Sequence, residues 1–222
     1  MLATCVAAIV ALSGCGATVG VYSDSILSDG TPGNGARIRL AFQGSDPNFP
    51  ISVPSFNNWH AEGGTSMAGS AANSFSGQPL AGPATSVVVY SFGTNDAVLA
   101  SRGEVYSAEE QARRWMDKAN AQNPGATCII WVLPNPAGLY NVLGQAQGAT
   151  AQTYLTNFNN YLRGLQATGY GGAKFRFADW ARMINDHPPG SAGAWSNDGI
   201  HPNAEGATAI GQVINYLIRG CA

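Results

Sequence analysis

Charge is what this sequence has least of. Lys and Arg together number 11 and Asp and Glu 13 among 222 residues, for a formal net charge of -2. Charged residues make up 11% of the chain, against roughly 25% in an ordinary soluble domain. So few basic groups argue against nucleic-acid binding, whose affinity rests on neutralising phosphates. No apolar run reaches the ~18 residues that a membrane-spanning helix requires. Cysteine is scarce as well: four residues, at 5, 15, 128 and 221, with none at C-x-x-C spacing. That speaks against a zinc ribbon or a thioredoxin-type redox pair. What the chain does have is glycine, 28 residues of it, and a 45% apolar content that is too high for a disordered protein. Its length suits one single-core domain.

Residues 1–15 read as a signal or lipoprotein leader and 16–222 as the domain. Leu12-Ser13-Gly14-Cys15 is similar to a bacterial lipobox, which would make Cys15 a lipid anchor, although no Lys or Arg precedes the apolar run. The other readings are a plain apolar leader, a truncated start or a lead-in to the first strand. On the leader readings the protein is extracytoplasmic. Cys128 opens an apolar strand and Cys221 ends the last helix. If that helix runs antiparallel to the strand, both sulfurs lie at one end of the sheet. They then form either a disulfide, which fits an oxidising compartment, or two buried thiols.

Strand and helix patterns alternate along the chain. Val19–Tyr22, Ser86–Phe92, Cys128–Leu133 and Phe175–Trp180 read as strands, the second nearly continuous in apolar residues as a central parallel strand should be. Ser107-Ala108-Glu109-Glu110 is a capping box opening a helix to about Asn123. Tyr154–Thr168 carries apolar residues at helical spacing, and Asn203 can cap a final helix with an apolar stripe at Ile210, Val213, Ile214 and Leu217. Residues 29–58 look irregular apart from a short segment at Arg37–Phe42, and 137–150 reads as a second pocket loop. The expectation is an α/β domain with a parallel sheet, whose ligand site lies at the carboxyl ends of the strands.

Those ends carry the polar residues. The first strand runs into Asp24-Ser25-Ile26-Leu27, the Ser86–Phe92 strand into Gly93-Thr94-Asn95-Asp96, and Asp198-Gly199-Ile200-His201 precedes the final helix. Together they supply a hydroxyl, an amide donor, an imidazole and a carboxylate, the parts of a serine hydrolase. Ser66, in Gly64-Thr65-Ser66-Met67-Ala68, is a rival nucleophile, but it departs from the G-x-S-x-G elbow at its last position. His60 and His187 read as spare histidines, and Trp195 as an aromatic to watch near Asp198.

The three blocks resemble those of the SGNH hydrolases, the GDSL-type esterase/lipase family. Tyr22-Ser23-Asp24-Ser25-Ile26-Leu27 corresponds to its nucleophile block, Gly93-Thr94-Asn95-Asp96 to its G-x-N-D block and Asp198-Gly199-Ile200-His201 to its D-x-x-H block. The resemblance implies a three-layer α/β/α sandwich of the flavodoxin-like kind. It also implies an esterase needing no metal or cofactor, with Ser25 as nucleophile, His201 as general base and Asp198 as its orienting acid. The oxyanion donors it implies are the Ser25 N–H, the Asn95 side chain and a glycine N–H in Glu62-Gly63-Gly64-Thr65-Ser66, either Gly63 or Gly64. The substrate would be an acyl or acetyl ester of a small molecule, lipid or glycan, and the chain is expected to act as a monomer. Ser23 departs from the family's glycine, so a weakly catalytic binding module is the competing class. An O-acyl transferase, which shares the acyl-enzyme, is a third.

Overall fold

The structure, a computed structural model, describes residues 17–28, 34–43, 51–52, 59–61, 87–104, 107–170 and 175–221. The strands are β1 (Ala17–Ser23), β2 (Ile51–Ser52), β3 (Trp59–Ala61), β4 (Val87–Ser91), β5 (Cys128–Val132) and β6 (Phe175–Ala178). They form one sheet in the order β2-β1-β4-β5-β6. β3 also pairs with β1, at Val21–Ser23, beyond the β2 pairing at Ala17–Thr18. Every pairing is parallel. β4 and β5, rich in β-branched and aromatic residues, are buried along their whole length, as strands covered on both faces must be.

The helices are α1 (Asn34–Gln43), α2 (Thr94–Ala100), α3 (Ala108–Gln122), α4 (Pro136–Leu143), α5 (Gln145–Ala167), α6 (Trp180–Asp186) and α7 (Ala204–Arg219). α1 packs against α7, while α2, α3 and α4 gather on α5; the sheet between these groups makes the three-layer α/β/α sandwich. Aromatic stacking consolidates the core: Phe92 lies on Trp115 at 4.2 Å between ring centroids and Tyr90 on Trp131 at 5.3 Å. A disulfide joins Cys128, at the start of β5, to Cys221 just beyond α7.

Local chemistry explains most boundaries. Ser107 accepts the Glu110 N–H at 3.2 Å and so starts α3, and Asn203 accepts the Gly206 N–H at 2.9 Å to start α7. Several expectations are revised. Within 29–58, residues 34–43 are a helix. The stretch 137–150 is not a loop: Asn135 caps α4, with Pro136 in its first turn, and α5 begins at Gln145 rather than near Tyr154. The Phe175 strand stops at Ala178, because Asp179 accepts the Arg182 N–H and caps α6 from Trp180 onward. The Gly93 block is not only a strand end, since Thr94 already begins α2.

Candidate active site

The sheet order reverses between β1 and β4: from β1 the chain adds β2 and β3 on one side, then crosses to β4 on the other. That is the topological switch point at which α/β sheets open a crevice beyond their carboxyl ends. Ser25 follows β1 there, and Asn95 lies in the first turn of α2 directly after β4. The two strand ends are neighbours, since Ser23 pairs with Ser91 and the Asp24 N–H continues the ladder to the Ser91 carbonyl at 2.9 Å.

The turn after β1 is closed by its own side chains. Ser23 is buried, accepts the Leu27 N–H at 3.1 Å and donates to the Asp24 carbonyl at 3.0 Å. Its hydroxyl is therefore absorbed in building the turn and does not stand as a group in the pocket. Asp24 is fully buried and accepts the Ile26 N–H at 3.1 Å. Burial pushes its carboxyl up to about 7; the Ile26 N–H acts against that rise, and the nearby Asp96 charge adds to it. Asp96 is itself buried, with Gln111 Nε2 at 3.0 Å and Trp115 Nε1 at 3.1 Å donating to its two oxygens.

Gly93 makes the β4–α2 junction feasible. Its φ of 123° lies where side chains rarely go, and a Cβ would stand 2.8 Å from Phe158 Cε1. The turn therefore runs tight against α5, setting Thr94 and Asn95 beside the end of β1.

Between α6 and α7 a small hairpin carries the third block. The Asn203 N–H bonds the Trp195 carbonyl at 3.0 Å, and Ser196 pairs with Pro202 as an antiparallel bridge. Trp195 stacks on His187 with 3.7 Å between ring centroids, so this aromatic and this spare histidine brace the hairpin. The other spare histidine, His60, belongs to β3. Inside the hairpin, Asp198 Oδ1 accepts the N–H groups of Ile200 and His201, both at 2.8 Å. Its Oδ2 stands 2.7 Å from His201 Nδ1, and His201 Nε2 stands 2.8 Å from Ser25 Oγ. Three residues separated by up to 176 positions thus form one continuous relay.

The electrostatics follow from those contacts. Partial burial raises the Asp198 carboxyl, but the bonds from the His201 ring and from the Ile200 and His201 N–H groups outweigh it and hold the group well below the usual carboxylate range. The Asp198 hydrogen bond lifts the His201 pKa above its ordinary value; partial burial opposes the lift and the Asp198 charge reinforces it. An ionised acid behind an imidazole whose other nitrogen meets a serine hydroxyl can remove that hydroxyl's proton as the oxygen attacks an electrophile.

Ser25, Asp198 and His201 are brought together, and Asn95 stands at the adjacent strand end. Gly63, Gly64, the rival Ser66, and Cys5 and Cys15 lie outside the described residues. Sequence reasoning missed the groups that hold the third block. Asn135 Nδ2 donates to the Gly199 carbonyl at 2.8 Å and Trp180 Nε1 to the Ile200 carbonyl at 2.9 Å. Ser196 Oγ accepts the Gly199 N–H at 2.9 Å and lies 2.6 Å from the His201 carbonyl oxygen. Asn135 had a signal in the Asn-Pro pair, which marks a helix start; Ser196 had none beyond its place two residues before Asp198.

The sequence profile of the GDSL-like lipase/acylhydrolase family matches residues 18–209. No curated protein sequence matches the chain significantly. Among solved structures, the chain is similar to a member of the lipolytic protein G-D-S-L family from Veillonella parvula, at 15% identity and TM-score 0.59, covering 90% of this chain and 97% of that one. It is similar to an extracellular lipase from Streptomyces rimosus, at 13% identity and TM-score 0.57, covering 93% and 100%. It is also similar to a catalytic mutant of an acetylxylan esterase from Geobacillus stearothermophilus, at 16% identity and TM-score 0.59, covering 96% and 97%. At such identities these likenesses speak for the fold, while the profile spans nearly the whole domain and all three motif blocks: the chain belongs to the GDSL-like lipase/acylhydrolase family and is an ester-hydrolysing enzyme.

Proposed function

We propose that the protein hydrolyses carboxylic esters by a two-step acyl-enzyme mechanism in which Ser25 is the nucleophile, His201 the general base and Asp198 its orienting acid. The observation that carries this reading is the relay of 2.8 Å from Ser25 Oγ to His201 Nε2 and 2.7 Å from His201 Nδ1 to Asp198 Oδ2. Ser25 Oγ attacks the ester carbonyl as its proton passes to His201 Nε2. The tetrahedral oxyanion then collapses, the C–O bond to the alcohol breaks, and the alcohol leaves with the proton from His201. Water repeats the sequence on the acyl-enzyme, releasing the acid and restoring the Ser25 hydroxyl.

The Ser25 N–H and the Asn95 amide are the donors we assign to the oxyanion, with Gly63 or Gly64 as a third. Donors of this kind each contribute on the order of 3 kcal/mol to the transition state. The substrates we assign are acyl or acetyl esters of small molecules or glycans. The side chains of His201 and Asp198 are 40% and 38% exposed, which suits an alcohol portion that stays in water. The Cys128–Cys221 disulfide supports an extracytoplasmic setting, as does the leader reading of residues 1–15.

The test is turnover of p-nitrophenyl acetate by the wild type, Ser25→Ala and Ser66→Ala. Loss in Ser25→Ala alone is expected. Full turnover in Ser25→Ala with loss in Ser66→Ala would transfer the nucleophile to the glycine-rich segment. A panel running from acetylated xylan to long-chain lipid esters then defines the alcohol and acyl portions.

A further inference from the structure

Gly199, Ile200 and His201 belong to no helix or strand, yet their backbone is completely hydrogen-bonded. The Gly199 N–H goes to Ser196 Oγ, and the Ile200 and His201 N–H groups go to Asp198 Oδ1. The Gly199, Ile200 and His201 carbonyls receive Asn135, Trp180 and Ser196. All six polar groups are thus held by side chains, and one side chain, Ser196, holds both ends of the run.

Ser196 is fully buried. Its oxygen accepts the Gly199 N–H at 2.9 Å, and its single proton faces two acceptors, the His201 carbonyl at 2.6 Å and Asp198 Oδ1 at 3.2 Å. The shorter contact marks the His201 carbonyl as the main acceptor. The same hydroxyl therefore touches the backbone of the base and the carboxylate that orients it. We propose that Ser196 is a positioning residue for the reaction: its hydroxyl sets the His201 ring and the Asp198 carboxylate at their working separation, and does more than stabilise the hairpin.

The physical basis is geometric. The His201 ring is carried by a three-residue run whose direction depends on its anchors. Asp198 Oδ1 fixes the Ile200 and His201 N–H groups from one side, and Ser196 fixes the His201 carbonyl from the other. Without the hydroxyl, the buried Gly199 N–H and the part-buried His201 carbonyl lose their partner, and the run must turn to find others. The hydroxyl's contact with Asp198 Oδ1 goes too, while the side chains of Ser25, Asp198 and His201 all remain, so the effect falls on how well His201 meets Asp198 and Ser25.

This inference rests on the triad reading, and the experiment separates the two. Kinetics of kcat and KM against pH are measured for the wild type, Ser196→Ala, Ser196→Cys and Asn203→Ala, with Ser25→Ala alongside. Ser196→Ala is expected to lower kcat about 10- to 100-fold with KM within about twofold, the response of a group misplaced by a fraction of an ångström. Its acid limb is expected to move to lower pH, because a looser Asp198 contact lifts His201 less. The buried Asp24, the other charge acting on His201, is untouched by the change. Ser196→Cys is nearly the same size and a weaker donor, so it folds more readily and shifts the limb the same way by less. Asn203→Ala removes the cap of α7 at the open end of the hairpin without touching the Gly199–His201 run or Asp198 and is expected to lower stability without moving the limb. If both Ser196 variants lose activity only in proportion to their folded fraction, with the acid limb in place, the positioning role is overturned. Turnover surviving in Ser25→Ala would instead overturn the triad, whatever Ser196 does.

Discussion

His201 Nδ1 stands 2.7 Å from Oδ2 of Asp198, while Oδ1 of the same carboxylate is occupied by the N–H groups of Ile200 and His201. The two oxygens therefore have separate tasks. One folds the D-x-x-H turn, and the other, held still by that turn, fixes which nitrogen of His201 carries the proton and leaves Nε2 to face Ser25.

The pH profile follows from that division. On the proposed mechanism His201 acts as base only when neutral, and the Asp198 contact raises its pKa. Activity is therefore expected to fall as pH drops through a midpoint above the usual imidazole value. Asp198→Ala removes the lifting contact, so the midpoint moves down while kcat falls about 10³- to 10⁴-fold, the loss typical of a triad acid. A kcat/KM profile from pH 5 to 9 for both proteins checks this. A wild-type profile flat across that range would remove His201 from the base role.

Asp24 leads to a second expectation, in stability. Burial raises its folded pKa to about 7 from 3.8. A group raised on folding contributes stability that is fully present below its unfolded value and lost as pH climbs through its folded value. The cost of keeping the buried carboxyl protonated while the unfolded chain ionises therefore grows between about pH 4 and 7 and is on the order of 3–4 kcal/mol at the top of that window. His201 also has a raised pKa, so its contribution has the same sign; the comparison must therefore be made against Asp24→Asn. That variant keeps an acceptor for the Ile26 N–H and cannot ionise. Urea unfolding across the window is expected to show the wild type losing stability as pH rises and Asp24→Asn losing distinctly less. Parallel curves would mean that Asp24 carries no such penalty.

The parts of the fold that depend on one face or one cap were legible in the chain. β4 and β5 announce themselves as apolar runs, α3 by its capping box and α7 by Asn203 and its stripe. The short elements were not. α1 buries Ile38 and leaves Leu40 71% exposed, so its pattern shows no clean stripe. α4 is only eight residues long and is started by its Asn135 cap, while the first turns of α5, from Gln145 to Thr150, hold no large apolar residue; the two are helical because they pack on each other, not because of periodicity. At the site, Ser25, Asn95, Asp198 and His201 were legible because each block pairs a turn with a reactive group. The support beneath them was not: Ser196, Asn135 and Trp180 converge on Gly199–His201 from separate elements. Only the folded chain brings them together.

That convergence makes a glycine on α4 matter to chemistry on the hairpin. Gly138 is buried, and a Cβ there would lie 2.5 Å from the carbonyl carbon and oxygen of Gly199 and 2.6 Å from Ile200 Cγ1. Two of those atoms are backbone of the run that carries His201, so the overlap is relieved only by moving α4 or the run. Alanine in a helix gains up to about 1 kcal/mol over glycine from propensity, whereas overpacking of this kind loses about 1–3 kcal/mol. The net change in stability for Gly138→Ala is therefore modest, and the effect on turnover is larger. We expect kcat to fall at least about tenfold, since small displacements of a positioned group are felt strongly. Gly164, on the exposed side of α5, has open space where a Cβ would stand, with no atom within 4 Å; Gly164→Ala should raise the unfolding temperature and leave kcat unchanged. Measuring unfolding and p-nitrophenyl acetate turnover for both variants separates helix propensity from displacement of the turn. Equal kcat values in the two would show that the α4 contact does not set the position of His201.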